Sequence, residues 1–407
     1  MGRRCSMMIV CFCFFFSIAA NALTPDTETV VAAAYGALAS YQGEWEALPG
    51  QYFERRGWES SMRNNPYDSF FWAKKVWPDG HKTYIVAVTG TESKTDMKTN
   101  LDTSLVPFES SGDQKVHKGY YGVAQSIKSN PLYQSIIESV QKNPADRLVI
   151  SGHSLGGAVA ILLGRLTVDG GIGANRVQVI TFGAPLMGNT AFLDTIPAYS
   201  IQSYMLKMDI VPEIFQAFNH TYSGSIPNAV EWQSHTPDVS IPHAMIRYLD
   251  EAERLDADAY GSAKENFQKR ETPHGTMYAA LPKIVSSYAE VPELVQKDYC
   301  WAMSKAMENI GQTGLYVSYR PETLEAALSK ARQFGFYRLV WTEISFVSNR
   351  TSQIQNYHME LSQTRYDVKT GKPIGWYSTI FDNGAYTLLP VTLFHLDKEW
   401  RMVKKLN

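Results

Sequence analysis

Two hydrophobic rhythms alternate along the chain. Between about residues 80 and 210, apolar runs of strand length are separated by segments whose apolar residues recur every three to four positions. TETVVAAAYGALASYQ (27–42) reads as a helix ahead of that region. FFWAKKVWPDGHKTYIVAVTG predicts two strands, one on either side of Pro78-Asp79-Gly80, a turn signal. HKGYYGVAQSIKSNPLYQSIIESVQKNP reads as helical with a break near Pro131. RLVIS follows as a strand, AVAILLGRLTV as a helix, and RVQVITFGAP and IQSYMLKM as strands. Strands alternating with helices predict an α/β fold with a mainly parallel sheet.

After Pro242 the pattern turns helical, through HAMIRYLDEAERL, LPKIVSSYAEVPELVQKDYC and PETLEAALSKARQFG. From Tyr337 it changes again. YRLVWTEISFV, IQNYHMELSQTRYDV, PIGWYSTIF and YTLLPVTLFHL read as strands, with Lys369-Thr-Gly-Lys as a turn. These segments predict a small α+β C-terminal domain over residues 301–407, behind a larger domain over 23–300. The boundary falls between 290 and 320, where no segment reads as a linker. The aromatics Trp341, Trp376, Trp400, Tyr357, Tyr366 and Tyr377 fit a packed β core better than a face for a polymer or membrane.

The first residues differ from the rest. Arg3 and Arg4 precede an uncharged, largely apolar run from Met7 to Ala20, which ends in Ala20-Asn21-Ala22. A basic start, a short apolar core and a small-x-small ending predict a signal peptide over residues 1–22, cut after Ala22. The run is too short for a comfortable membrane span. The expectation is a secreted or periplasmic protein with no integral membrane segment after cleavage. Cys5, Cys11 and Cys13 leave with that segment, so Cys300 alone remains and no internal disulfide can form.

Composition then narrows the chemistry. With 44% hydrophobic and 19% charged residues and a formal net charge of −2, the chain can bury a sizeable core. It has no basic excess, which argues against a nucleic-acid partner. His81, after Asp79-Gly80, reads as a solvated turn residue, and neither metal nor cofactor is expected.

Gly152-His153-Ser154-Leu155-Gly156 lies between the strand RLVIS and the helix that follows. A serine between small residues at a strand-to-helix turn is pushed out of the chain, where a base and a substrate can reach it. The amides opening the next helix favour negative charge at the same place. Such a serine needs a base, and the base needs a carboxylate. Asp209 leaves the strand IQSYMLKM, where the acid is expected. The downstream histidines are His220, His235, His243 and His274. His220 is very close to Asp209 in sequence, and His235, in WQSHTPD, competes with His243, which opens a helix-like run after Pro242.

Taken in order, six segments resemble the class 3 (fungal-type) lipase family: YIVAVTGTES, VHKGYYGVAQSI, ISGHSLGGAVA, VITFGAPLMGN, MDIVP and HAMIRYL, the last with its histidine five residues before Tyr248. They cover roughly residues 70 to 250. The resemblance implies the α/β-hydrolase fold, with Ser154 as nucleophile, Asp209 as acid and His243 as base. It also implies an oxyanion hole from Thr91 and the Leu155 amide. Thr89 stands where the family usually has arginine, which bears on support of the oxyanion loop. His117 matches a loop histidine that looks structural. The implied function is a secreted serine carboxylic-ester hydrolase, a lipase or esterase on acyl esters of lipids. A phospholipase A-type acyl hydrolase or a feruloyl-type esterase is the alternative, and a non-catalytic hydrolase-like binding protein is more remote. Residues 92–105 lie where relatives carry a lid. Only Met97 and Leu101 are large and apolar before Leu105, which favours an esterase or phospholipase over a bulk-triglyceride lipase.

Overall fold

The computed structural model describes residues 25–41, 47–61, 70–91, 104–196, 201–214, 222, 224–226, 228–234, 242–268, 273–286, 293–310, 315–318, 321–349, 356–383 and 389–395. The expected signal peptide and most of the expected lid lie outside these residues.

The first unit is a seven-stranded sheet with helices on both faces. Two helices, α1 (Thr27–Ala39) and α2 (Ala47–Arg55), precede β1 (Trp58–Ser60), β2 (Phe70–Val76) and β3 (Lys82–Val88). A small two-stranded ribbon follows, β4 (Leu105–Pro107) with β5 (Lys115–His117). Then come α3 (Lys118–Lys128), α4 (Pro131–Lys142), β6 (Arg147–His153), α5 (Leu155–Asp169), β7 (Val177–Phe182), the single turn α6 (Thr190–Leu193), β8 (Ile201–Leu206) and β9 (Ala229–Trp232). Strand order is β1-β2-β3-β6-β7-β8-β9. β3, β6, β7, β8 and β9 run parallel, and β1 and β2 add an antiparallel edge.

Side-chain alternation explains the layering. Val86, Val88, Leu148, Ile150 and Val179 face one way and pack on α3, α4 and α5. Ile85, Ala87, Val149, Ile180 and Phe182 face the other way and pack on α1, α2 and a long helix, α7 (Met245–Gln268). β6 is buried on both faces, as a central parallel strand must be. α5 is apolar around its whole circumference and almost wholly buried. The break expected near Pro131 is real: Pro131 opens α4, and the Asn130 side chain caps its first turn.

The second unit is built on β10 (Met277–Ala279), β11 (Lys283–Ser286), α8 (Glu293–Ile310), β12 (Leu315–Val317), α9 (Leu324–Gln333), β13 (Arg338–Asn349), β14 (Asn356–Asp367) and β15 (Pro373–Asn383). Its sheet runs β12-β10-β13-β14-β15, with β11 also pairing β13. α9 covers Leu339 and Trp341 through Ala327 and Ala331. α8 covers Val340, Ile344 and Leu361 through Trp301, Met303 and Met307. α7 spans both units: Tyr248 and Leu249 pack on the first sheet, and Ala257 packs with the α8 cluster. A Cβ on Gly261 of α7 would lie 2.6 Å from the Trp301 indole nitrogen, so only glycine lets the helices approach so closely there.

Three readings of the sequence need correction. Lys283–Ser286, expected to be helical, is β11, and the helix begins only at Glu293. The strands β10 and β11 of the second sheet lie upstream of the 300/301 division. Both have only three or four residues, too few for an alternating pattern to register. Residues 389–395, expected as a strand, are helical. Proline suits a first helical turn, the Asp250 side chain holds the Leu389 N–H at 2.8 Å, and Leu389 and Val391 are buried against α8. Tertiary packing overrides the β-branched composition of that segment.

Candidate active site

The site lies at the carboxyl ends of the parallel strands, where an α/β sheet places its chemistry. Ser154 joins β6 to α5 with φ 58° and ψ −132°, a left-handed region costly for a residue with a Cβ. Its neighbours show why they are glycines. A Cβ on Gly152 would lie 2.3 Å from the Gly156 carbonyl oxygen, and one on Gly156 would lie 2.2 Å from the Val88 carbonyl oxygen. The turn is pinned by Ser154 N donating to Phe182 O at 2.9 Å and by Gly157 N donating to Ser154 O at 2.9 Å. Ser154 makes no side-chain cap to its helix, so its hydroxyl is free to turn outward.

That hydroxyl meets His243. Nε2 of His243 lies 2.8 Å from Ser154 Oγ, and Nδ1 lies 2.6 Å from Asp209 Oδ2. The Asp209 side chain is fully buried, and that of His243 is 28% exposed. The base therefore reaches solvent and the acid does not. Asp209 follows β8 and is fixed twice more: Val211 N donates to Oδ1 at 2.9 Å, and the Tyr248 hydroxyl donates to Oδ2 at 2.5 Å. Tyr248 itself accepts the Leu206 N–H at 3.1 Å. Burial, then the Asp209 carboxylate, pushes the Tyr248 phenol well above its ordinary pKa, so it remains a donor. Gly183, at φ 57°, closes the floor. A Cβ there would lie 2.8 Å from Asp209 Oδ2 and 2.8 Å from the Tyr248 hydroxyl.

The three residues singled out by sequence are thus brought together. Of the other histidines, His220 and His235 lie outside the described residues. His117 is buried in the ribbon, caps α3 by accepting the Tyr120 N–H at 3.3 Å, and stacks on the Tyr120 ring. His81 bonds Asp79 in its turn, 2.5 Å away. Leu155 is the first residue of α5, so its amide has no partner four residues back. Thr91 is half-buried just past β3. Thr89 is buried, and its hydroxyl donates to Ser40 O at 3.2 Å.

Sequence reasoning gave no role to Tyr248, Gly183 or His153. Tyr248 was marked only by its spacing from His243. His153 is buried beside the nucleophile, with its ring 4.6 Å from that of His243. Burial, then the neighbouring His243, holds its pKa well below the ordinary histidine value, and the ring is neutral. A cavity of about 320 Å³, lined by Tyr52, Trp58, Trp77 and Arg147 among others, opens at the opposite ends of the strands and is no part of this site. Among the described residues, no group of three or more His, Cys, Asp or Glu side chains could hold a metal.

Residues 85–219 match the model of the family described as Lipase (class 3). That match covers the stretch from β3 to just past Asp209 and agrees with the ordered motifs and with the mainly parallel sheet covered by helices on both faces. The lipase of Rhizomucor miehei is 28% identical over 143 residues, 33% of this chain and 38% of that protein. The chloroplastic phospholipase A1 PLIP2 of Arabidopsis thaliana is 31% identical over 150 residues, 35% of this chain and 21% of that protein. The chain thus spans between a fifth and two fifths of the length of these relatives. Among solved structures, lipase II from Rhizopus niveus is similar with a TM-score of 0.39 and 18% identity, over 50% of this chain and 84% of that one.

Proposed function

We propose that this chain is a serine carboxylic-ester hydrolase that cleaves acyl esters of lipids. The observation that carries the reading is the continuous line Ser154 Oγ–His243 Nε2 and Nδ1–Asp209 Oδ2, at 2.8 and 2.6 Å, on a strained serine. Ser154 Oγ attacks the ester carbonyl carbon while His243 takes its proton. The oxyanion is received by the amides of Thr91 and Leu155, the latter backed by the N-terminus of α5. His243 then gives its proton to the leaving alcohol, and an acyl group stays on Ser154. Water, deprotonated by His243, attacks that acyl group, and the carboxylic acid leaves as the proton returns to Ser154. Asp209 holds the imidazole tautomer and stabilises its charged form; Tyr248 and the Val211 amide hold Asp209.

The relatives include proteins named lipase and phospholipase A1, which supports a lipid acyl ester as the substrate class. A second reading, a phospholipase A-type acyl hydrolase, rests on the latter and on the polar composition of residues 92–105. The N-terminal segment supports export, to the periplasm or outside the cell. Among the described residues, no helix is long and apolar enough to cross a membrane. Labelling with a fluorophosphonate and peptide mapping by mass spectrometry tests the chemistry. The adduct belongs on Ser154 and on no other serine. An unlabelled native protein would favour a hydrolase-like fold used for binding.

A further inference from the structure

The C-terminal end of α1 reaches over the carboxyl ends of β3 and β6. Three polar contacts mark the junction. Ser40 Oγ donates to Val88 O at 3.4 Å, and Thr89 Oγ1 donates to Ser40 O at 3.2 Å. The Tyr41 hydroxyl lies 2.6 Å from His153 Nδ1. The first two contacts tie α1 to the strand that leads into the Gly90-Thr91 loop. The third ties it to the residue just before Ser154.

Gly90 lies between these contacts. A Cβ there would lie 1.9 Å from the Tyr41 hydroxyl oxygen and 2.9 Å from His153 O. The phenol therefore rests directly on the Gly90 backbone, with the nucleophile turn on the other side. The His153 ring that anchors this phenol also packs against the His243 ring, with centroids 4.6 Å apart and planes tilted by 35°. One side chain, Tyr41, thus bridges the two strand ends from which the oxyanion donors are drawn. Thr89, the residue before Gly90, has a short side chain that bonds back to Ser40 at the end of α1.

We propose that Tyr41 is a positioning residue for the oxyanion hole. Its hydroxyl, locked to His153, clamps Gly90 and keeps the Thr91 amide aimed at the carbonyl oxygen that becomes the oxyanion. The proposal rests on the serine-hydrolase reading. Oxyanion donors act only within about 2.7–3.1 Å of the developing charge, and displacement by about 1 Å can cost roughly a hundredfold in rate. The amide just past Gly90 follows wherever that backbone moves. Tyr41 touches neither substrate nor reacting atoms, and it acts through Gly90 and His153.

Tyr41→Phe keeps the ring and removes the hydroxyl. With p-nitrophenyl butyrate, kcat of Y41F should fall roughly tenfold or more while KM stays within about twofold. The urea midpoint should stay close to that of the native protein. A trifluoromethyl ketone, whose serine adduct carries an oxyanion, should lose affinity by the same factor as kcat/KM. Butyrate, which forms no such adduct, should inhibit both proteins equally. A Y41F enzyme with native kcat overturns the proposal and leaves the hydrolase reading intact. So does a loss in which the ketone and butyrate weaken equally, or in which the urea midpoint falls along with rate. A native protein that neither hydrolyses esters nor binds the ketone overturns both.

Discussion

Glu253 is a buried carboxyl on α7 whose effect on stability can be worked out with its sign. The Tyr35 hydroxyl of α1 donates to its Oε1, and Oε2 is buried without a hydrogen-bond partner among the described residues. Burial is the largest influence and raises its pKa from the ordinary 4.5 to about 8; the Tyr35 bond and Arg56 oppose the rise, while Asp250 and Asp256 add to it. Below pH 4.5 both folded and unfolded chains hold the proton, so the group does not affect stability. Between 4.5 and about 8 the unfolded chain ionises and the folded chain does not. Stability then falls as pH rises, by up to about 1.4 kcal/mol per pH unit, to a total of about 5 kcal/mol. Glu253→Gln has the same shape and no proton to lose. The urea midpoint, followed by near-UV circular dichroism from pH 5 to pH 9, should drop for the native protein relative to E253Q. The gap should open between pH 5 and 8 and then level off. Profiles that stay parallel across this range would refute the reasoning, because Glu253 would then titrate alike in both states.

Five further substitutions follow from the geometry. Asp209→Asn should lower kcat on a soluble ester by roughly ten-thousandfold, since it favours the wrong tautomer of His243; a loss under tenfold would count against the role given to Asp209. Tyr248→Phe removes a donor to Asp209 and leaves the buried Leu206 N–H unpaired, which should cost about 1–3 kcal/mol in urea denaturation, with a parallel fall in kcat. Gly183→Ala places a methyl group within 3.1 Å of Asp209, Tyr248 and His243 at φ 57°; it should cost about 1–2 kcal/mol from the backbone alone and depress hydrolysis further. In the C-terminal unit, Trp341 is 8% exposed and Trp376 is 71% exposed. Trp341→Ala should therefore cost about 3–5 kcal/mol, and Trp376→Ser within about 0.5 kcal/mol, by the same denaturation assay.

The readable parts of the fold are those where one physical signal dominates. β3 and β6 carry the continuous apolar stretches YIVAV and LVI because helices cover both faces of the sheet, so each reads as a buried strand. α5 reads as a helix because it is buried all round and opens on a glycine turn. Ser154 was legible because the strained turn demands Gly152 and Gly156 close by in sequence. His243 and Asp209 carry no such local demand, and position alone left His235 in competition with His243. Only the ordered set of motifs separated them. Tyr41, His153 and Gly183 act through contacts across large sequence distances, and no spacing along the chain marks such contacts. The aromatic residues of the C-terminal strands read alike in sequence, yet α9 covers Trp341 and leaves Trp376 in solvent. The short strands β9, β10 and β11 have too few residues to show a period, and the helix over 389–395 owes its form to its partners.

The central claim is that Ser154, activated by His243, carries an acyl group during ester hydrolysis. Its most direct test is the rate of p-nitrophenyl butyrate hydrolysis by the native protein beside Ser154→Ala. The account predicts measurable turnover in the native protein and a loss of roughly a thousandfold or more in the variant. Equal rates in the two proteins, or no turnover in either, would contradict it.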